Sequence, residues 1–421
     1  MSASGTMDAI GTGLAEGRTG SDGPVAFTGG RGPLFRILVK NSVFNLLTLG
    51  IYRFWAKTWL RRYLWHNIAI RGEALEYTGR PAELLIGFLI AMAVLVPLAM
   101  VVGILDVAFL GGRSSEDASF GQLIYLIALL WLANFARYRV RRYKLTRTAW
   151  RGIRGGLDGS AVRYAWLAFG AGLLTVATAG LARPWMRTAL QRYKTENSRY
   201  GIRNFSFAGK GSDLFARWLV VLVFLLLSLI LFVWWMVAFT ASIQGELGRD
   251  NFAAAPSLVV PALVGLGGLA LLALSYMWYR VYEFRYFIGK TRLGDTCFDS
   301  DVRTSTILRY GSISGIVQLF LIIAIVFLAS MAVAPMLSGI SVSSEAIGAL
   351  ILPFLLVILV FTVVRLIVHY LLFYFPLARH VCVTLHISNL EAVEDIIQST
   401  RADPKFGEGL ADALDIDIGP V

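Results

Sequence analysis

Residues 214–240 read LFARWLVVLVFLLLSLILFVWWMVAFT. Beyond Arg217 the stretch runs to Thr240 without another charge. A helix rises 1.5 Å per residue, so about 20 apolar residues cross the roughly 30 Å hydrocarbon core of a bilayer. This segment is predicted to span a membrane. Further apolar runs cover 84–108, 120–136, 258–278, 313–333 and 347–364. Together they predict an α-helical integral membrane protein, a bundle with about six full spans in three hairpins. Of 421 residues, 57% are hydrophobic and 16% charged, where a soluble chain carries about a quarter charged residues.

The net charge of +12 is concentrated outside the runs. Within each pair of spans the connector is short and acidic or neutral: 111–119 with Glu116 and Asp117, 244–251 with Glu246 and Asp250, and 338–344. Between pairs the chain is basic, first at Lys57, Arg61, Arg62, Arg71 and Arg80. Arg137, Arg139, Arg141, Arg142, Lys144, Arg147, Arg151 and Arg154 follow, then Arg183, Arg187, Arg192 and Arg199. The positive-inside rule puts these segments, and both termini, in the cytoplasm. The charge therefore points to loop orientation and anionic headgroups rather than to nucleic acid. Cys297 and Cys382 give no disulfide framework. Residues 1–24, rich in Gly, Ser and Thr with no apolar core, read as a disordered tail and not as a signal peptide.

Two apolar stretches do not fit simple spanning. Residues 34–50 carry Arg36, Lys40, Asn41 and Asn45, and 161–182 has basic segments at both ends. A single crossing would leave one basic flank on the wrong side. Both are expected to be interfacial or re-entrant helices, with Gly170 and Gly172 supplying the second bend; a seventh or eighth span is the alternative.

The chain also repeats itself. At an offset of 130 residues, Thr48, Gly50, Arg53, Trp55, Tyr63, Asn67 and Gly79 match Thr178, Gly180, Arg183, Trp185, Tyr193, Asn197 and Gly209. A smaller motif recurs at Arg62-Tyr63, Arg142-Tyr143, Arg192-Tyr193, Arg285-Tyr286 and Arg379-His380, with Asn or Thr four or five residues beyond its second residue. After the first copy come two short alternating runs with Gly72-Glu73 between them, which predicts a β-hairpin. Similar strands in the other copies are expected to form cytoplasmic β-structure. These features divide the chain into a tail (1–24), unit 1 (25–136), unit 2 (137–280), a divergent unit 3 (281–390) and an acidic C-terminal tail (391–421).

The run Leu47-Thr48-Leu49-Gly50-Ile51-Tyr52-Arg53-Phe54-Trp55-Ala56-Lys57, then Arg61-Arg62-Tyr63-Leu64-Trp65, resembles the YjgN family of bacterial inner-membrane proteins. So do Leu75-Glu76-Tyr77-Thr78-Gly79 and Trp150-Arg151-Gly152-Ile153-Arg154-Gly155-Gly156. The resemblance runs from about Phe27 to Leu390. It implies a multi-pass protein of the inner membrane. The family is described as a domain of unknown function, so no catalytic residue carries over.

Function is less legible. Arg53, Lys57, Arg61, Arg62, Arg142, Arg151, Arg154 and Arg192 are candidates to bind anionic lipid headgroups, each near-surface charge contributing about 1 kcal/mol. Trp55 and Trp150 would sit beside them at the interface. The plainer account of all ten is topology and anchoring. Phe287-Ile288-Gly289-Lys290-Thr291 has the tail of a phosphate-loop pattern but lacks its first Gly. His380, Cys382 and His386 would share one face of an extended strand, a weak metal pattern whose plainer account is a polar strand face. Neither metal nor cofactor is expected. No nucleophile-base set is present, so no enzyme activity is expected. The expected role is transport, or a lipid- or envelope-linked interaction. One alternative is a transporter or channel for a small or amphipathic molecule; another is an anionic-lipid-binding scaffold. Membrane lipids are the expected partners.

Overall fold

The computed structural model describes residues 23–110, 120–247, 255–337 and 344–399. The three span connectors fall wholly or largely outside these residues, as do most of both predicted tails. Of the N-terminal tail, Gly23 and Pro24 form a strand.

Among the described residues six helices are long and apolar enough to cross a membrane. They are α3 (Pro81–Leu110), α4 (Phe120–Thr146), α7 (Ser212–Leu247), α8 (Ala255–Gly289), α9 (Thr304–Leu337) and α10 (Ser344–His369). The last continues through a π-helical turn, Tyr370–Tyr374, into α11 (Phe375–Val383). Pro376 lies at the start of α11 and has no N–H to donate, and the wider turn precedes it. Four shorter helices make two further pairs: α1 (Arg31–Leu47) with α2 (Arg53–His66), and α5 (Ala161–Ala177) with α6 (Arg183–Glu196).

Thirteen strands among the described residues link these pairs. They are β1 (Gly23–Pro24), β2 (Ala26–Phe27), β3 (Ile68–Ile70), β4 (Glu73–Ala74), β5 (Glu76–Tyr77), β6 (Thr148–Trp150) and β7 (Ile153–Leu157). Then follow β8 (Ser198–Tyr200), β9 (Arg203–Asn204), β10 (Ser206–Phe207), β11 (Thr291–Leu293), β12 (Thr296–Ser300) and β13 (Leu385–Ser388). They form three antiparallel sheets, ordered β1-β13-β12-β11-β10, β2-β3-β4 and β5-β6-β7-β8-β9. Val25, Leu75 and Phe205 each interrupt one extended segment, and on either side of the break the segment pairs with a different neighbour. β1 pairs with β13 and β2 with β3. β4 pairs with β3 and β5 with β6. β9 pairs with β8 and β10 with β11. The sheets are thus joined end to end, and the pairing returns to its start as a closed ring with no free edge. All three break residues pack in one apolar core with Leu293, Trp150 and Ile387.

The predicted hairpin is present, with its turn one residue earlier, at Arg71 (φ 50°) and Gly72 (φ 81°). Arg151 (φ 52°) and Gly152 (φ 73°) turn the next. Positive φ at both positions is what a two-residue hairpin between right-twisted strands requires. The sequence strand–helix–helix–strand then occurs five times around the ring, twice with short helices and three times with long ones.

The two short pairs correct the expected single re-entrant helices. Residues 34–50 and 161–182 are each one arm, and the returning arms are the basic aromatic segments α2 and α6. Gly170 and Gly172 lie inside α5 and make no bend. The reversal falls at Ala179 (φ 50°) and Gly180 (φ 90°), matched by Leu49 (φ 50°) and Gly50 (φ 92°), since left-handed residues after the last turn reverse the chain and satisfy the last helical carbonyls. Thr48 and Thr178 close both helices alike: each hydroxyl donates to the carbonyl four residues back at 2.8 Å and accepts from the amide four residues on.

The spans do not make the expected bundle. In their most apolar windows only 6–17% of residues are buried. The ring holds each hairpin at its root; the second short pair also packs on α4 as far as Trp131, which meets Trp166 at 5.7 Å. Within α7–α8 contact is close: Gly268 lies against Leu231, and the Ser228 hydroxyl donates to the Gly268 carbonyl at 2.6 Å. Small residues of this kind let spans approach.

Candidate functional site

The recurring Arg-Tyr motif sits where helices enter the ring. The Tyr63 hydroxyl accepts from the Gly30 amide at 2.9 Å and donates to the Gly30 carbonyl at 2.6 Å. Tyr193 does the same with Ser160, both at 3.0 Å; Tyr286 accepts from the Lys210 amide at 2.7 Å and shares its proton between the Asp213 carboxylate at 2.6 Å and the Lys210 carbonyl at 3.2 Å. His380, at the same place in the last copy, accepts from the Arg303 amide at 3.4 Å. Each of these rings closes its own strand–helix–helix–strand segment. In three copies of the motif the arginine reaches into the next segment. Arg62 donates to the Gly79 carbonyl at 3.0 Å, Arg192 to that of Gly209 at 2.9 Å, and Arg142 to those of Leu157 (2.8 Å) and Gly159. These carbonyls lie where a strand ends, and a cationic donor satisfies them better than a neutral one.

At the far mouth of the ring, away from the helices, the chain after β13 folds back. Leu390, Val393 and Ile396 are buried with Val25, Trp150 and Ile387. The Glu394 carboxylate pairs with Arg71 at 2.8 Å and lies 3.8 Å from Arg151, which also pairs with Glu73 at 2.8 Å. The Gln398 side chain accepts from the Arg154 amide at 2.7 Å. The Tyr200 hydroxyl donates to the Trp150 carbonyl at 2.9 Å, and burial pushes it up to about 12. The acidic stretch after Glu391 thus begins as a plug.

The ten predicted residues do not form one cluster. Arg53, Trp55, Lys57, Arg61 and Arg62 lie along α2. Arg53 stands over the Phe54 and Phe88 rings at 4.9 and 4.5 Å. Trp55 stacks on Tyr52 at 6.2 Å, and Arg61 reaches the Tyr77 hydroxyl at 3.3 Å. Arg142 and Arg192 belong to the junction clips. Trp150, Arg151 and Arg154 sit at the ring's mouth, where Trp150 is buried under the Arg151 guanidinium. His380 and Cys382 lie on α11 and His386 on β13, so they share no strand face. The helix runs on to Val383 because the Thr384 amide still reaches the His380 carbonyl. Among the described residues no three His, Cys, Asp or Glu side chains gather as a metal site. Gly289-Lys290-Thr291 is the junction of α8 with β11.

Sequence reasoning missed Glu283. It is 1% exposed on α8, paired twice with Arg187 of α6 (2.9 and 3.3 Å) and with Arg280. Its only signal is an acid in a segment otherwise basic and aromatic.

The tips of the short pairs are apolar and open. Leu47, Leu49 and Ile51 are exposed on one, and Leu174, Val176 and Leu181 on the other. The second tip is fixed in height, because the Trp218 indole donates to the Gly180 carbonyl at 2.8 Å. Trp218 follows Arg217, the last charge before the uncharged stretch of α7. The tip is therefore level with the start of that stretch.

A β-ring carrying three long apolar hairpins and two short ones defines a multi-pass α-helical membrane protein. The chain belongs to the bacterial proteins of unknown function designated DUF898, whose profile matches residues 22–413. It is 27% identical over 146 residues to the inner membrane protein YjgN of Salmonella typhimurium, which supports the YjgN resemblance read from the sequence. That alignment covers 34% of this chain and 34% of the relative, so the match spans about a third of the curated protein's length. No solved structure matches.

Proposed function

We propose that this is a non-enzymatic protein of the bacterial inner membrane that engages lipid of the cytoplasmic leaflet, with its β-ring and both termini in the cytoplasm. The observation that carries this is the height of the short hairpins. The apolar tip of the second is level with the start of the apolar stretch of α7, and the returning arms of the two carry Arg53, Lys57, Arg183 and Arg187. A helix pair that enters one leaflet and returns leaves basic residues among headgroups on the entry side. The positive-inside rule supports the cytoplasmic orientation. The five recurring segments further support an origin by internal duplication.

Lipid retention tests this. After purification from mixed phosphatidylethanolamine and phosphatidylglycerol, the retained lipid is measured by mass spectrometry. The wild type should be enriched in the anionic lipid, and Arg53→Gln with Lys57→Gln should reduce the enrichment. Equal retention of both lipids by the wild type would refute specific headgroup binding. A second reading, a carrier for an amphipathic molecule, draws support from the recurrence, since carriers are often built from repeats.

A further inference from the structure

The two short hairpins correspond residue by residue at an offset of 130. Arg53 lies over Phe88 at 4.5 Å, and Arg183 lies over Trp218, its counterpart, at 4.7 Å. The tips differ in what fills the notch between their arms. In the first, Tyr52 lies between Phe44 (5.1 Å) and Trp55 (6.2 Å), and the three rings occupy the notch. In the second, the counterparts are Leu174, Ala182 and Trp185. Where Tyr52 would project, Ala182 leaves an open recess of about 330 Å³, lined by Leu174, Thr178, Leu181, Ala182, Trp185 and Phe215.

The chemistry of this recess is that of a hydrocarbon chain. Its lining is apolar except for Thr178, whose hydroxyl is already spent on the Leu174 carbonyl. It opens beside Phe215, three residues before Trp218 fixes the height of the tip. A polar ligand would find no free partner there, whereas an apolar one recovers the dispersion contacts an unfilled notch forfeits. We propose that this recess is a binding site for one acyl chain of a membrane phospholipid, and that the first hairpin carries its own substitute for that chain in Tyr52. The inference rests on the second hairpin entering a leaflet, as the proposed function holds.

The test uses the full chain in nanodiscs with a phospholipid bearing a diazirine on its acyl chain. After irradiation, labelled peptides are mapped by mass spectrometry. The wild type should be labelled at Leu174, Leu181 or Phe215 several-fold above the counterparts Phe44, Ile51 and Leu85. Ala182→Tyr installs the residue the protein itself uses at the equivalent place, and it should bring the two hairpins to equal labelling. Equal labelling in the wild type, or no response to Ala182→Tyr at an unchanged melting temperature, would overturn the site. If Ala182→Tyr lowers the melting temperature, Ala182→Leu repeats the test with a smaller filler. The headgroup of the probe is varied separately. Recess labelling indifferent to headgroup charge leaves the acyl site standing and counts against the anionic-lipid reading, whereas absence of label at both tips sinks the leaflet insertion on which both depend.

Discussion

The Tyr193 hydroxyl clasps a single residue from both sides, accepting the Ser160 amide and donating to the Ser160 carbonyl, each at 3.0 Å and 33 residues away in the chain. One phenol thereby sets the distance between the start of α5 and the end of α6. Tyr63 with Gly30 and Tyr286 with Lys210 repeat the relationship. The motif is a fastening for the ring.

Tyr193→Phe keeps the ring tilted against Tyr138 and Tyr164 at 5.6 and 5.9 Å and removes only the hydroxyl. Ser160 is exposed, so water replaces part of the loss, and the cost should be about 1 kcal/mol. Tyr193→Leu also loses the ring contacts and should cost more. Melting temperatures in detergent check both, and an unchanged value for Tyr193→Phe would contradict the clasp.

Glu283 is the most deeply buried acid among the described residues. Glu283→Leu leaves Arg187 without its carboxylate and should destabilise by about 3 kcal/mol. The double variant Arg187→Leu, Glu283→Leu should recover part of that, because it removes both charges. A double variant no better than the single one would show that packing rather than charge sets the cost.

The C-terminal plug divides into apolar and ionic parts. Ile396 is 3% exposed, so Ile396→Ala should cost about 2–4 kcal/mol. The Glu394 carboxylate is half exposed, and Glu394→Gln should stay within about 1 kcal/mol despite two arginines. Melting temperatures should follow the same order, lowered by Ile396→Ala and unchanged by Glu394→Gln.

The spans were legible because lipid imposes a 20-residue apolar run on any helix that crosses it, and no tertiary contact is needed to see that. The basic flank was legible for a similar local reason. Ring closure was not, because it turns on single residues: Val25, Leu75 and Phe205 look like ordinary members of strands, and only long-range pairing shows that each changes partners. The Arg-Tyr recurrence was visible without its meaning, since the atoms it binds lie tens of residues away. Arg62, Arg142 and Arg192 looked like a basic surface because charge is read from sequence while carbonyl partners are not. The plug was hidden in an acidic tail, its one signal being the three-residue spacing of Leu390, Val393 and Ile396.

We place the ring and the two short hairpins on one side of the membrane, with the long hairpins crossing it. Accessibility of single cysteines to an impermeant thiol reagent tests it most directly, with Cys297 and Cys382 first replaced by serine. A cysteine at Gly72, in a ring turn, should react only in inverted vesicles. Cysteines at Leu49 and Val176, at the short tips, should react from neither side. Labelling of Val176→Cys from the periplasmic face would mean that the second short pair crosses the bilayer, and would contradict the account.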